Sequence, residues 1–180
     1  MRKITVAEFI SLDGVVEAPE TWHFPYVDQE MMGIIGAGAA ASDTMLLGRV
    51  TYESFAGAFA NLPDDDPVGA MMNRPTKVVV SRTLTDLTWR NSVLLEGDVE
   101  VAVAKLKTEP GGDILTTGST TLVRTLLRAG LVDELSLLVH PIVVGHGERL
   151  FEADGPTVKL ALVESTTLDS GVTHQVYRPA

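Results

Sequence analysis

Cysteine is absent from all 180 residues. That excludes disulfides, thiolate zinc sites and a cysteine nucleophile together. No apolar run approaches the roughly 20 residues needed to cross a bilayer. The amino-terminal Met-Arg-Lys-Ile-Thr-Val starts like a strand and lacks the apolar core and cleavage site of a secretory signal. A cytoplasmic protein is expected. Positive charge is scarce, 14 Lys and Arg against 24 Asp and Glu, for a net charge of −10. Nonspecific nucleic-acid binding needs a basic face, so neither nucleic acid nor a membrane is expected as a partner. A few local arginines can still dominate one cleft, which leaves anionic small molecules open. His23, His140, His146 and His174 show no metal-ligand spacing, so no metal is expected. A P-loop and a G-x-S-x-G elbow are also missing.

What is present is 45% apolar residues in apolar segments that alternate with helix-like ones. A chain of this length can bury about two-thirds of its unfolded surface as one domain, expected over residues 1–180. Strands are expected over Lys3–Leu12, Asp43–Gly48, Lys77–Ser81, Val93–Leu95 and Asp113–Thr117, with β-branched runs and turn signals at their ends. Helices are expected over Asp28–Ala41, Val50–Phe59, Asp98–Lys107 and Thr120–Ala129, and Asn61–Pro67 reads as a loop. Gly36 to Ala41 nearly fits a G-x-G-x-x-A fingerprint, but no strand precedes it. Its small residues suggest a helix packed closely on a sheet. After Asp133 the pattern changes. Val158–Leu168 and Gly171–Tyr177, joined at Asp169-Ser170-Gly171, predict a C-terminal antiparallel hairpin. The fold class is therefore α/β, with a mixed and mainly parallel sheet. Ligands then bind at the carboxyl ends of the strands.

Three segments sit at such ends. Gly48-Arg49-Val50-Thr51 opens a helix, with a glycine for close approach, a guanidinium fork and a first-turn hydroxyl. Ser81-Arg82 ends the next strand, and Gly118-Ser119-Thr120-Thr121 opens another helix. Helix N-termini attract anions through their free N–H groups and dipole. Each segment alone also fits an ordinary strand–helix junction, a surface arginine or a hydroxyl-capped helix. Together they suit a ligand carrying charge at several points.

Leu47-Gly48-Arg49-Val50-Thr51-Tyr52-Glu53-Ser54 resembles the Met-Gly-Arg-x-Thr-Trp-Glu-Ser segment of dihydrofolate reductases. Gly118 to Phe151, with Leu131-Val132-Asp133-Glu134-Leu135, His140-Pro141 and Gly145-x-Gly147, resembles the C-terminal reductase domain of the bifunctional riboflavin-biosynthesis protein. That domain belongs to the same dihydrofolate reductase-like superfamily. The resemblance implies that superfamily's central sheet flanked by helices, NADPH as cofactor and a homodimer. It implies phosphate contacts from Gly48, Arg49 and Thr51, the 2′-phosphate at Ser81 and Arg82, and the pyrophosphate at Gly118, Ser119, Thr120 and Thr121. No counterpart of the riboflavin protein's deaminase domain is present, so a stand-alone reductase domain is expected. Two departures stand against a folate substrate: Gly118-Ser119 replaces a Gly-Gly pair, and Arg74, followed by Pro75, is out of register for a glutamate tail.

On the substrate side, Trp22-His23-Phe24-Pro25 precedes Asp28. In dihydrofolate reductases a Trp-x-x-Pro is followed by the acid that assists protonation. Asp28 matches it one residue out of step, with Glu30 as its rival, and Asp28 also fits a helix cap. Trp22 and Phe24 could cover the nicotinamide and substrate rings or simply pack. The expected function is an NADPH-dependent reductase of a small pterin- or pyrimidine-like heterocycle, working by hydride transfer. The alternative is a non-catalytic protein that binds a nucleotide or flavin-like ligand on the same fold, and a third reading is a reductase using NADH or flavin.

Overall fold

The computed structural model describes all 180 residues. Six strands run parallel: β1 (Ile4–Ser11), β2 (Ser42–Gly48), β3 (Thr76–Val80), β4 (Ser92–Leu94), β5 (Asp113–Thr116) and β6 (Glu134–His140). Then β7 (Leu160–Thr167) and β8 (Thr173–Pro179) form the antiparallel hairpin, with β8 against β6. The order across the single eight-stranded sheet is β4-β3-β2-β5-β1-β6-β8-β7. This is the α/β, mixed and mainly parallel architecture expected. The helices are α1 (Gln29–Ala41), α2 (Arg49–Phe59), α3 (Pro67–Asn73), α4 (Val99–Thr108) and α5 (Thr120–Arg128). None is long and apolar enough to cross a membrane.

The parallel strands read as near-continuous apolar runs because helices cover both their faces. On one face, Val103 of α4 and Leu122, Val123 and Leu126 of α5 pack with Ile4, Val6, Leu46, Ile114 and Leu135. On the other, Tyr52 of α2 and Met72 of α3 join Met45, Leu47, Val79 and Trp89. Met31 of α1 closes the far end with Leu138, Leu168 and Val172. Burying each such side chain contributes about 1.5–3 kcal/mol.

The N-terminal edge of the sheet is tied by buried polar groups. Arg2 is paired with Asp43 and donates to the Gly112 carbonyl at 2.6 Å. The Lys107 ammonium meets Asp133 at 2.6 Å, and Asp133 also accepts from the Ile4 amide. The fold is thus clamped at one edge of the parallel strands, while the other carries the loops. That division positions the site.

Two expectations differ from the structure. The stretch read as a loop ends in a helix, α3, which Pro67 opens and Asp66 caps through the Gly69 amide at 2.8 Å. The same Asp-Pro signal serves a turn and a helix start, and composition favoured the turn. Second, the small residues of α1 allow no close approach. A Cβ at Gly33, Gly36 or Gly38 would meet nothing within 4 Å. Two short 3-10 turns, Pro19–Thr21 and Phe24–Tyr26, lead into α1.

Candidate functional site

The carboxyl ends of the six parallel strands lie along one edge. The predicted residues fall on it in order: Ser81-Arg82 after β3, Gly48-Arg49-Thr51 at the end of β2 and Gly118 to Thr121 after β5; the Asp13-Gly14 turn follows β1 beside them. Neighbouring strands lie about 4.8 Å apart, so β3 to β1 spans roughly 15 Å.

The beginnings of α2 and α5 are cross-tied. Gly48 donates its amide to Ser119 Oγ at 2.9 Å, and Ser119 donates its amide to Thr51 Oγ1 at 2.8 Å. Each hydroxyl thereby accepts one bond and keeps its own hydrogen to donate. Gly118 and Ser119 are both left-handed, at φ +58° and +51°. A Cβ on Gly118 would lie 3.0 Å from Thr51 Oγ1, which is why glycine sits at this crossing.

A hydroxyl-capped α5 was expected, and that cap does not form. A capping serine normally accepts from an amide of its own helix; the Ser119 hydroxyl serves Gly48 instead, and α5 has no side-chain cap. Nor has α2, which Gly48 precedes. The other three helices are each capped by an aspartate, Asp28, Asp66 and Asp98. Two adjacent helices therefore present open N-termini side by side at the end of β2 and β5. Free amides, dipoles and donor hydroxyls all favour an anion there.

The flanking cations are exposed. Arg49 lies 2.8 Å from Glu53 one turn along α2, a surface pair of small intrinsic worth. Arg82 is exposed beyond Ser81, whose hydroxyl accepts from the Thr83 and Leu84 amides at 3.1 and 3.0 Å. Thr120 is buried at the first turn of α5 and Thr121 is exposed beside it.

Beyond β1 and β6 the character is aromatic. His23 stacks on Phe9 at 4.4 Å and meets Phe24 at the same centroid distance of 4.4 Å with the rings tilted by 36°. His140, the last residue of β6, is completely buried and meets Phe9, Trp22 and Tyr26 edge-on. Trp22 is buried and donates to the Glu17 carbonyl at 3.1 Å, whereas Phe24 is 64% exposed. Burial pushes both imidazoles down, and for His23 the neighbouring His140 adds to it. Neutral rings result. Asp13 fixes the floor, accepting from Ser11 Oγ and from the Val144 and Gly145 amides. Those bonds, the Ser11 hydroxyl first, hold its carboxyl at about 2.

Asp28 lies where α1 begins. Oδ1 accepts from the Met31 amide at 2.8 Å and Oδ2 from the Ser170 amide at 3.3 Å. These bonds hold its carboxyl below the ordinary range, the direction opposite to that of a proton donor. Glu30 is likewise joined to the β7–β8 turn, accepting from the Asp169 amide at 3.1 Å. Asp28→Asn keeps a good N-cap. We expect turnover to change by less than about twofold, because the cap is preserved. A hundredfold fall in steady-state rate would instead give Asp28 the proton.

Two residues of this edge escaped sequence reasoning. His23 was passed over because it has no ligand spacing. Glu8 is a carboxylate in the middle of β1, only 5% exposed. Its signal was available: a lone acid inside Ile-Thr-Val-Ala-Glu-Phe-Ile, a run otherwise suited to a strand covered on both faces.

The profile of the RibD C-terminal domain matches residues 2–174. The chain belongs to that family. Among relatives, YyaP of Bacillus subtilis is 29% identical over 182 residues, covering 98% of this chain and 94% of its own. YwjB of the same organism is 27% identical over 164 residues, 89% of each chain. Among solved structures, a putative riboflavin biosynthesis protein from Shewanella superposes with a TM-score of 0.78 at 19% identity, over 99% of both chains. A pyrimidine reductase-like protein from Corynebacterium diphtheriae gives 0.66 at 13%, over 99% of this chain and 92% of that one. RibD of Acinetobacter baumannii gives 0.65 at 16%, the present chain spanning 58% of it. At these identities the likeness of structure shows the fold.

Proposed function

We propose that the protein is an NADPH-dependent reductase of a small pyrimidine- or pterin-like heterocycle. One observation carries this reading: the paired, uncapped and cross-tied N-termini of α2 and α5, flanked by Arg49 and Arg82. The fit to a dinucleotide phosphate rests on this chain's own atoms. The Gly118 crossing is a cradle that a Cβ would fill, and the Ser119 and Thr51 hydroxyls have hydrogens left to donate. Gly48, Arg49, Thr51 and Gly118 to Thr121 would hold the pyrophosphate, with Ser81 and Arg82 at the adenosine end for a 2′-phosphate. When bound, NADPH supplies a hydride; the protein supplies binding, orientation and exclusion of water. Trp22, His23 and Phe24 lie beyond β1 and β6, where a flat heterocycle would stack. We also propose a homodimer, as in the riboflavin-type reductase domains that the sequence resembles.

A non-catalytic ligand-binding protein is the second reading. The committed, ionised state of the Asp28 carboxyl favours it, since no proton donor is evident at that position.

Titration with NADPH and NADH, read by tryptophan fluorescence, tests the cofactor. Charge-assisted bonds contribute about 1.5–3 kcal/mol, so Arg82→Ala should weaken NADPH binding by about ten- to a hundredfold. Binding of NADH should stay within about twofold, because it lacks the 2′-phosphate. Equal losses for both nucleotides would remove Arg82 from the 2′-phosphate. If neither nucleotide binds the parent protein, the reductase proposal fails.

A further inference from the structure

Glu8 has no place in the scheme above, yet it lies directly beneath it. Val6 of β1 pairs with Thr116 of β5, and the parallel register then sets Glu8 beside Gly118. Its side chain is sealed: 5% of the residue is exposed, and Oε1 has no hydrogen-bond partner. Thr116 Oγ1, on the same face of the sheet and fully buried, has none either. Leaving such a group unpaired is costly, and more so when it is charged. Burial pushes the Glu8 carboxyl well above the usual range, and only the Gly118 amide against it pulls the other way.

No charged group faces Glu8. Its own strand offers Val6 and Ile10, β6 offers its register partner Leu137, and β5 offers Thr116. The helix above contributes Leu122, Val123 and Leu126. The arginines of α5 are engaged elsewhere, Arg124 with Glu148 and the Leu150 carbonyl and Arg128 with Glu152. Lys107 and Asp133 pair with each other at the opposite edge of the sheet. An ionised Glu8 would thus place an uncompensated negative charge under the turn whose amides face an incoming anion.

We propose that Glu8 is a positioning residue for the anion site: its carboxyl must stay uncharged for the Gly118–Ser119 turn to accept a phosphate, so anion binding and ionisation of Glu8 exclude one another. This rests on the dinucleotide reading. The uncharged carboxyl leaves the Gly118 turn in place and adds no repulsion. By linkage, a bound phosphate makes Glu8 harder to ionise by the same factor that ionisation weakens the phosphate.

The experiment measures NADP⁺ affinity from pH 7 to 9.5 at constant ionic strength, in the parent protein and in Glu8→Gln. Above pH 7 the 2′-phosphate of the ligand, whose second ionisation lies at about 6, is mostly dianionic, and the Glu8→Gln curve carries whatever change remains. Parent affinity should fall at least about fivefold across the range, while Glu8→Gln stays within about twofold, since glutamine cannot ionise. Parallel curves for the two proteins, or a flat parent curve, overturn the proposal. Should Glu8→Gln not fold, ¹³C-carboxyl NMR of the parent with and without NADP⁺ decides: the Glu8 midpoint must rise on binding, and an unmoved midpoint overturns it. If NADP⁺ binds neither protein at any pH, the cofactor reading fails. Inorganic pyrophosphate, titrated in the same way, then tests the turn alone, and its failure to bind overturns the proposal too.

Discussion

Replacing Gly118 by alanine is expected to weaken NADPH binding by about a hundredfold or more, while costing the fold only about 1–2 kcal/mol. The stability cost comes from the backbone. Gly118 holds φ +58°, where a Cβ crowds the following carbonyl. The binding cost comes from the neighbour. The new Cβ would lie 3.0 Å from Thr51 Oγ1 and 3.1 Å from its Cγ2, so Thr51 must give way. Thr51 cannot do so without losing the 2.8 Å bond from the Ser119 amide. That bond sets the two open helix ends against each other, and losing it spoils both at once. Loss of two charge-assisted bonds to phosphate, at about 1.5–3 kcal/mol each, amounts to about a hundredfold or more in affinity. Fluorescence titration with NADPH and a melting curve separate the two effects. Gly57→Ala, on the same helix as Thr51 but with nothing within 4 Å of its Cβ, is the control. It should bind normally and melt slightly higher, since alanine is favoured over glycine in a helix by about 1 kcal/mol. Equal binding by Gly118→Ala and the parent would remove the crossing from the cofactor site.

The sheet was legible because its signals are local. Lys77 to Ser81 is a Lys-Val-Val-Val-Ser run, and a helix-covered parallel strand needs little more. The final hairpin announced itself through Val172, just before β8, and His174 and Val176 within it, all three buried. The site was legible in position and not in wiring. Gly48, Thr51, Gly118 and Ser119 could be placed at strand ends from sequence, but the exchange of amides and hydroxyls between them joins residues 71 and 68 positions apart. Local rules gave Ser119 the commonest role of its residue type, a cap on its own helix. The crossing overrides that rule and opens the helix. Asp28 shows the reverse. Its capping role is local and was legible, while its second bond, to the amide of Ser170 in the β7–β8 turn, was not. Glu8 was silent for a third reason: a strand pattern records that a polar residue interrupts an apolar run, not whether anything meets it.

The largest effect on the fold itself is expected at Asn73, another residue whose partners are distant. Asn73 ends α3 and is completely buried. Its Nδ2 donates to the Phe59 and Leu62 carbonyls at 3.2 and 3.1 Å, and its Oδ1 accepts from Trp89 Nε1 at 2.6 Å. The Asn73 carbonyl accepts from Lys77 Nζ at 3.1 Å and from Asn91 Nδ2 at 2.9 Å. Lys77 is itself completely buried, 4.5 Å over the Trp89 ring, and burial brings its ammonium down to about 8. The amide side chain therefore joins the end of α2 and the turn after it to the loop before β4. The main-chain carbonyl of the same residue holds Lys77 near the start of β3. Asn73→Ala leaves the Leu62 carbonyl and the indole N–H without partners, each at about 1–3 kcal/mol. It also strips the Phe59 carbonyl of one of its two bonds, the Leu62 amide remaining. A total loss of about 3–5 kcal/mol is expected, read as a lower denaturant midpoint with an unchanged slope. The consequence reaches the site, since β3 carries Ser81 and Arg82 at its other end. NADPH affinity should weaken in Asn73→Ala under conditions where the variant is still folded, while Asn73→Gln, which keeps the amide on a longer stem, should recover part of both losses. A loss below about 1 kcal/mol, the usual net worth of one hydrogen bond, would mean that water reaches the freed groups and that the Asn73 side chain is not the joint between α2 and the loop before β4.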